Sequence, residues 1–215
     1  MEDVLDLYEQ ASTQHQARLC YDERPCQLLG EILEALPMKE GKAKREDSQY
    51  TRNGTAVVLL AYDIDQGKRY VQVRERRTKK DYAEFMDWLV NEHYAHTEHI
   101  HLVQDNLNTH TFGAFYEHLP AKQARQIAQK LTFHFTAKHG SWLNMAEIEF
   151  SALARQCLNR RIDNLDILRK EVAVWAEERN KQATKIHWSF TVNTAREKLN
   201  SQYEKVNKAN SIYKN

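Results

Sequence analysis

Cysteine, glycine and proline are all scarce in this sequence. The three cysteines, Cys20, Cys26 and Cys157, are odd in number and far apart, which excludes a complete disulfide framework and the CxxC pairs of common zinc sites. Six glycines and three prolines among 215 residues are too few for a disordered or collagen-like chain. Hydrophobic residues at 41% and charged residues at 28% are typical of a folded protein, and we expect one core with reduced thiols.

Long apolar runs are also missing. The longest, residues 56–62, is far shorter than the ~18 residues that a membrane-spanning helix needs. The first residues include Glu2 and Asp3, where a secretory signal would carry positive charge. These features predict a cytoplasmic protein with no membrane partner.

Neither sign of charge dominates the chain, since its formal net charge is only +1. Proteins that bind nucleic acid through its phosphates are better identified by local basic stretches. The first such stretch contains Lys39, Lys42, Lys44 and Arg45, and the second contains Arg74, Arg76, Arg77, Lys79 and Lys80. Each stretch is either a phosphate-binding surface or an ordinary solvated run of charges.

Strand patterns dominate the first third of the chain. Residues 18–23 are β-prone, residues 56–64 are almost wholly apolar, and residues 69–74 alternate between apolar and polar side chains. The turn-forming residues 65–68 join the second and third of these segments as a hairpin. Three antiparallel strands are therefore predicted to open the domain.

Helix and strand patterns alternate after this point. Thr78 and Asp81 form a capping-box pattern, and Thr194 with Glu197 is predicted to cap the last helix. Between them we predict helices over residues 82–93, 112–130, 142–158 and 165–176, and strands over residues 99–105 and 131–136. Strands that follow crossover helices lie parallel to an earlier strand. The order predicts an α/β domain with a five-stranded mixed sheet, three antiparallel strands and then two parallel ones, and helices on both faces. It is the order of RNase H-like nucleases.

Three acidic residues occupy positions that such a fold would bring together. Asp22 lies near the end of the first strand, Asp105 at the end of the fourth, and Glu147 on the helix after the fifth. Phosphodiester cleavage by two metal ions needs several carboxylates around ions that lie ~3.5–4 Å apart. Oxygen ligands of this kind select Mg²⁺ or Mn²⁺. We predict that these three acids are both the catalytic residues and the ligands of two such ions.

The acids next to this triad are expected to point elsewhere. Glu23 follows Asp22 on a strand, so the two side chains should lie on opposite faces of the sheet. Glu149 lies two residues after Glu147 on a helix, ~200° around the helix axis. Neither acid can replace its neighbour without a change of register or a rotation of the helix.

The segments that carry the triad resemble the acid-bearing motifs of a known family. They are residues 20–28 (CYDERPCQL), 103–110 (VQDNLNTH) and 139–149 (HGSWLNMAEIE). They closely resemble motifs of the bacterial insertion-sequence transposases of the IS-six-thirty family, relatives of the mariner transposases. Residues 52–55 (RNGT) and 75–82 (ERRTKKDY) are also similar to that family. The resemblance covers about residues 1–203.

The resemblance implies a cut-and-paste DDE/D transposase with Asp22, Asp105 and Glu147 as its metal-binding triad. Such an enzyme hydrolyses the phosphodiester at the end of a mobile element, and the freed 3′-hydroxyl attacks target DNA, usually at a TA dinucleotide. Double-stranded DNA and further copies of the chain, as a homodimer or a larger assembly, are the implied partners. The residues expected to contact DNA are Arg76, Arg77, Lys79, Lys80, Lys138 and His139.

The resemblance also suggests how the chain is organised. Residues 1–203 are expected to form the catalytic domain, and residues 204–215 a polar C-terminal tail. Members of the family carry an N-terminal helix-turn-helix region, which we expect to be absent here because few residues precede the first strand. The connection over residues 26–54 is longer than ordinary loops. In mariner relatives the corresponding insertion is a clamp between subunits, and a disordered surface loop is the alternative.

Several polar and aromatic side chains near the triad are candidates for a supporting role. Those expected to orient the acids or contact the scissile phosphate are Asn106, Asn108, His110 and Asn144, and a merely polar loop is the alternative for the first three. His99 and His101 alternate on a strand without a nearby cysteine, so we expect them to be structural rather than metal ligands. Trp142 is expected in the core rather than stacked on a DNA base.

Two other functions share these features. A different RNase H-like nuclease, such as a ribonuclease or a junction resolvase, would use the same acids and metals, and strand transfer to target DNA separates a transposase from it. A transposase remnant that only associates with an intact protomer and inhibits it is the second alternative. Detectable hydrolysis would exclude the remnant, and the complete triad already argues against it.

Overall fold

The computed structural model describes residues 1–33, 39–41 and 48–207, which build a five-stranded sheet with helices on either side. The strands are β1 (Gln16–Glu31), β2 (Tyr50–Asp63), β3 (Lys68–Arg74), β4 (His99–Gln104) and β5 (Leu131–Phe135). Their order across the sheet is β3-β2-β1-β4-β5. The strands β1, β2 and β3 pair antiparallel, whereas β4 runs parallel to β1 and β5 runs parallel to β4. The mixed sheet is as the sequence predicts.

Helices cover both faces of this sheet, which confirms the second part of the fold prediction. They are α1 (Glu2–Glu9), α2 (Lys79–Trp88), α3 (Phe112–His118), α4 (Ala121–Lys130), α5 (Met145–Gln156), α6 (Leu165–Lys181), α7 (Val192–Lys198) and α8 (Asn200–Val206). One hydrophobic core lies between the sheet and α1, α5, α6 and α7. The other lies between the sheet and α2, α3 and α4. Among the described residues, no helix has both the length and the apolar character to cross a membrane.

The alternation of side chains along β1 assigns each residue to one of the two cores. Cys20 packs in the core that contains α5, whereas Leu19 and Tyr21 pack in the core that contains α2 and α3. Since successive side chains of a strand point to opposite faces, Asp22 faces α5 and Glu23 faces α2 and α3. Burial of a large apolar side chain contributes ~1.5–3 kcal/mol, so this pattern strongly selects the register of the strand.

The connection predicted as a long loop over residues 26–54 begins and ends as strand. β1 continues to Glu31 and β2 begins at Tyr50, and the two residues are paired. This outer part of the β1–β2 pair projects beyond β3 and β4 as a two-stranded ribbon, because β3 pairs with β2 only from Val57 onwards. The sequence analysis does not identify these strand ends, because polar and glycine-containing segments with weak strand patterns become strands when they pair with each other.

The base of the ribbon is attached to the loop that precedes α6. The main-chain N–H of Leu29 donates to the oxygen of Ile162 at 2.8 Å. The Asn53 amide donates to the main-chain oxygen of Asp163 at 3.1 Å. Lys42, Lys44 and Arg45 of the first basic stretch lie outside the described residues.

Helix boundaries follow capping residues, although the sequence does not identify all of them. The predicted capping box at Thr78 is present: its side chain accepts from the N–H of Asp81, whose carboxylate accepts from the N–H of Thr78 at 2.8 Å. The predicted cap at Thr194 is wrong, since Thr191 caps α7 and accepts from the N–H of Thr194 at 3.2 Å. Pro120 divides the predicted helix over residues 112–130 into α3 and α4.

The sequence-based prediction omits the two terminal helices. α1 buries Val4, Leu5 and Leu7, and the Tyr8 hydroxyl donates to the main-chain oxygen of Leu143 at 2.7 Å. α8 ends at Val206, so the tail predicted over residues 204–215 begins within a helix. The remainder of that tail, residues 208–215, lies outside the described residues.

Candidate active site

Asp22 lies inside β1, on the face that carries α5. The sequence places it near the end of the first strand, but β1 continues to Glu31 because it pairs with the outer part of β2. The Asp22 side chain is half-buried, and its Oδ1 accepts from the main-chain N–H of Glu23 at 2.8 Å. Its other oxygen lies 3.3 Å from the Asn144 amide nitrogen, which donates to it.

Asp105 directly follows β4, as predicted. In the parallel pairing of β1 with β4, Cys20 lies opposite Val103, which places Asp105 next to the part of β1 that contains Asp22. The Asp105 side chain is 37% exposed. Its position at the carboxyl end of a strand lets it meet residues from the neighbouring strand and from the following loop.

Glu147 lies in the first turn of α5 and is exposed. Asn144 fixes the start of this helix, because its side-chain oxygen accepts from the N–H of Ala146 at 3.1 Å. The same side chain donates to the main-chain oxygen of Tyr21 at 2.8 Å. Asn144 thus caps α5 and attaches it to β1 beside Asp22, which brings the carboxylate of Glu147 towards that acid.

The three acids interact electrostatically. Burial raises the pKa of Asp22 to about 7, against the opposing effect of the Glu23 N–H, and the negative charges of Glu147 and Asp105 raise it further. Within the described part of the chain, no three His, Cys, Asp or Glu side chains are grouped closely enough to hold a metal ion. Asp22, Asp105 and Glu147 therefore do not converge into such a group in this structure. Burial is the largest cause of the raised pKa of Asp22, and the smaller contributions of Glu147 and Asp105 would favour positive charge nearby.

His110 lies between Asp105 and Glu23 and contacts both carboxylates. Its ring is fully buried, with Nδ1 2.6 Å from Oδ1 of Asp105 and Nε2 3.2 Å from Oε1 of Glu23. Burial opposes the charged form of the imidazole, but the contacts with Asp105 and Glu23 outweigh it and raise the pKa of His110 to about 9. Asn106 and Asn108 differ, since both side chains are exposed.

The basic residues expected to contact DNA fall into two groups. Lys79 forms an ion pair with Glu117 at 2.7 Å, and Lys80 lies 3.8 Å from Glu84. The second group is exposed and has no acidic partner within the described residues: Arg76, Arg77, Lys138 and His139. His139 adopts a positive φ of 63° in the loop between β5 and α5. This second group is the better candidate for phosphate contacts.

Glu149 is excluded from the site by a buried ion-pair network. Its carboxylate accepts from two guanidinium nitrogens of Arg69, each at 2.7 Å, and from two of Arg179, each at 3.1 Å. Burial opposes ionisation, but these arginines lower the pKa of Glu149. The sequence predicts that Glu149 points away from Glu147, yet its partners are too distant along the chain to be recognised by spacing.

Three other residues can be compared with their expected roles. His99 contacts Thr132 at 2.7 Å and His101 contacts His134 at 3.0 Å, which agrees with a structural role between β4 and β5. Trp142 is not in the core, because 45% of it is exposed. It lies edge-on to Phe190 at a ring-centroid distance of 5.3 Å.

Comparison with known proteins agrees with this architecture. Residues 17–169 match the family described as DDE superfamily endonuclease. No match was found among curated proteins. The fold is shared with the catalytic domain of Mos1 mariner transposase, at 13% identity and a TM-score of 0.53 over 84% of this chain and 80% of that chain.

Two complexes of Mos1 are similar over more of this chain. The Mos1 mariner paired end complex with Mn matches at 15% identity and a TM-score of 0.54, and the Mos1 strand transfer complex at 14% identity and a TM-score of 0.55. Each match covers 96% of this chain but only 59% and 58% of the respective transposase chain. The expected RNase H-like fold is confirmed.

Proposed function

Because this chain belongs to the DDE superfamily endonucleases, we propose that it is the catalytic part of a DNA transposase. It hydrolyses the phosphodiester bond at the ends of a mobile element and joins the freed 3′-hydroxyl to target DNA at a TA dinucleotide. One observation carries this proposal: Asp22 lies on β1, Asp105 directly follows the neighbouring strand β4, and Glu147 lies in the first turn of α5, which Asn144 attaches to β1 beside Asp22. We further propose that the chain is an insertion-sequence transposase of the IS-six-thirty group.

The residues present fit a divalent cation. Three carboxylates form a hard oxygen donor set, which suits Mg²⁺ or Mn²⁺ rather than softer metals. The pKa of Asp22 is raised partly by the other two acids, so a cation would relieve this repulsion. When bound, one or two such ions activate the attacking oxygen and stabilise the leaving oxygen of the phosphodiester.

The surrounding residues position the acids and the substrate. Asn144 fixes Glu147 relative to Asp22 through its contacts with both α5 and β1. Exposed Arg76 and Arg77 are available to hold phosphates of the DNA strand. Lys79, Lys80, Lys138 and His139 extend this proposed surface. A homodimer or larger assembly on DNA and a clamp-like role of the β1–β2 ribbon are part of the same proposal.

The proposal is tested by incubation with Mg²⁺ or Mn²⁺, a labelled duplex that carries the ends of the element, and a TA-containing target plasmid. We expect cleavage at the element end and labelled strand-transfer product. Asp105→Asn should abolish both and keep the circular dichroism spectrum of the wild type, since this side chain is 37% exposed. Its matched control is Asp87→Asn, an acid on α2 remote from the triad.

The other outcomes favour the alternative functions. Metal-dependent cleavage without strand transfer would indicate a different RNase H-like nuclease. Failure to cleave, combined with inhibition of an intact transposase, would indicate a subunit that only regulates. Cleavage by Asp105→Asn would exclude the proposed triad.

A further inference from the structure

Glu23 is buried directly behind the proposed metal site, on the opposite face of β1 from Asp22. Only 3% of its side chain is exposed. Its Oε1 accepts from the Tyr21 hydroxyl at 2.9 Å and lies 3.2 Å from Nε2 of His110. Its Oε2 has no hydrogen-bond partner in the described part of the chain. A buried carboxylate with an unpaired oxygen opposes folding, so its effect on stability does not explain its position.

His110 connects Glu23 to the site. The ring is fully buried and contacts one carboxylate through each nitrogen: Glu23 at 3.2 Å and Asp105 at 2.6 Å. The rings of Tyr21 and Tyr82 pack against it at centroid distances of 5.3 and 4.8 Å. The imidazole therefore has little freedom to turn, and its orientation depends on the oxygen of Glu23 at one end.

Apart from His110, little holds the Asp105 carboxylate in one orientation. It lies at the start of a loop, and its neighbour is His110, whose Nδ1 lies 2.6 Å from Oδ1 as an ion-pair contact and 3.2 Å from the main-chain oxygen of Asp105. Oδ1 has no hydrogen-bond partner among the described residues. A metal ligand that is free to rotate binds its ion less tightly than one held by a neighbour, and loss of such a neighbour typically weakens metal affinity ~10–100-fold.

We infer that Glu23 is a positioning residue for the proposed reaction: through His110, it holds the Asp105 carboxylate in the orientation that a divalent cation requires. This inference rests on the proposed function. Glu23 does not itself contact the cation, because β1 separates it from Asp22. The resulting chain of contacts runs from Tyr21 to Glu23, His110 and Asp105 and crosses from one face of the sheet to its edge.

The test measures Mn²⁺ affinity of the full 215-residue chain by calorimetry, without DNA. Glu23→Ala should weaken Mn²⁺ binding ~10–100-fold. Glu23→Gln should weaken it less, about threefold to tenfold, because its amide oxygen still accepts from Tyr21 and His110 while the charge is lost. The matched control is Tyr94→Phe, which removes another buried hydrogen bond, to Asp63. It should lose stability and keep its Mn²⁺ affinity within about twofold.

A second measurement needs no metal. The ring ¹⁵N signals of His110 should move in Glu23→Ala and stay in place in Tyr94→Phe.

Wild-type Mn²⁺ affinity in Glu23→Ala would overturn the inference while leaving the proposed function intact. If Glu23→Ala does not fold, wild-type affinity in Glu23→Gln overturns it instead. If the wild type fails to bind Mn²⁺, or if Asp105→Asn binds it equally well, the proposed metal site itself fails and this role fails with it.

Discussion

Asp22 bears an electrostatic penalty in the metal-free protein. Burial and the charges of Glu147 and Asp105 raise its pKa to about 7, above the value of 3.8 that applies to an exposed aspartate. The folded state therefore binds more protons than the unfolded state between these two pH values. Linkage then requires that this residue lower the stability of the fold as the pH rises from about 4 to about 7.

We predict that Asp22→Asn stabilises the metal-free protein at pH 8 by about 1–3 kcal/mol and has little effect at pH 4. The reason is that the amide removes a charge that the wild-type fold must bury above pH 7. Urea denaturation at both pH values measures the difference. Asp6→Asn, at an exposed acid on α1, is the control for the substitution of an aspartate by asparagine. A destabilised Asp22→Asn at pH 8 would contradict this interpretation.

At the scale of the element, two separate sets of hydrogen bonds attach α5 to the rest of the fold. Asn144 caps its first turn and binds β1, while Glu149 on its inner side binds Arg69 of β3 and Arg179 of α6. Both Glu149 and Arg69 are completely buried in this network. Because one attachment lies at the N-terminal end of the helix and the other at Glu149 within it, together they fix its rotation and hence the direction of Glu147.

Substitution by glutamine should have different effects at the two acids of this helix: loss of stability at Glu149 and loss of cleavage at Glu147. Glu149→Gln should destabilise the fold by about 3–5 kcal/mol, because it leaves the buried Arg69 without its carboxylate. Glu147→Gln should change stability by less than about 0.5 kcal/mol, as is usual for an exposed residue, and should abolish cleavage. Chemical denaturation and the cleavage assay separate the two effects. Equal loss of stability in both variants would contradict this account of α5.

At the scale of the whole molecule, the topology gathers the proposed DNA contacts at one edge of the sheet. β3, β4 and β5 all run parallel to β1, so their carboxyl ends lie at the same edge. Arg76 and Arg77 follow β3, Asp105 follows β4, and Lys138 follows β5. Residues widely separated in the sequence therefore flank one site.

Removal of Arg76 and Arg77 together should weaken DNA binding to a similar extent for all sequences. The plot of log K against log salt concentration has a negative slope, and its steepness should decrease by ~0.9 for every phosphate that is no longer neutralised. The double alanine variant should therefore have a slope that is shallower by up to about two units. Fluorescence anisotropy over a salt series measures the slope. Lys122→Ala with Arg125→Ala, on the exposed side of α4, is the matched control. An unchanged slope would show that Arg76 and Arg77 are only solvated charges.

Local patterns in the sequence determined much of this fold. The apolar run at residues 56–62, the capping box at Thr78 and the alternation around Asp22 each depend on neighbours a few residues away. Such short-range spacing specifies which segments become strands or helices and which way their side chains point. The order of those elements then predicted the mixed sheet and placed Asp22, Asp105 and Glu147 on β1, after β4 and on α5.

Only the tertiary structure decided the features that depend on distant partners. The β1–β2 ribbon forms because two weak strand segments pair across the connection between them, and Glu149 lies 80 residues from Arg69 in the chain. Glu23 and His110 are separated by 87 residues. The free energy of a buried charge depends on which groups the fold places around it, and spacing along the chain carries no record of that. For this reason the sequence could suggest Asp22, Asp105 and Glu147 as a triad and Asn144 and His110 as their neighbours, whereas the partners Glu23, Arg69 and Arg179 appear only in the fold.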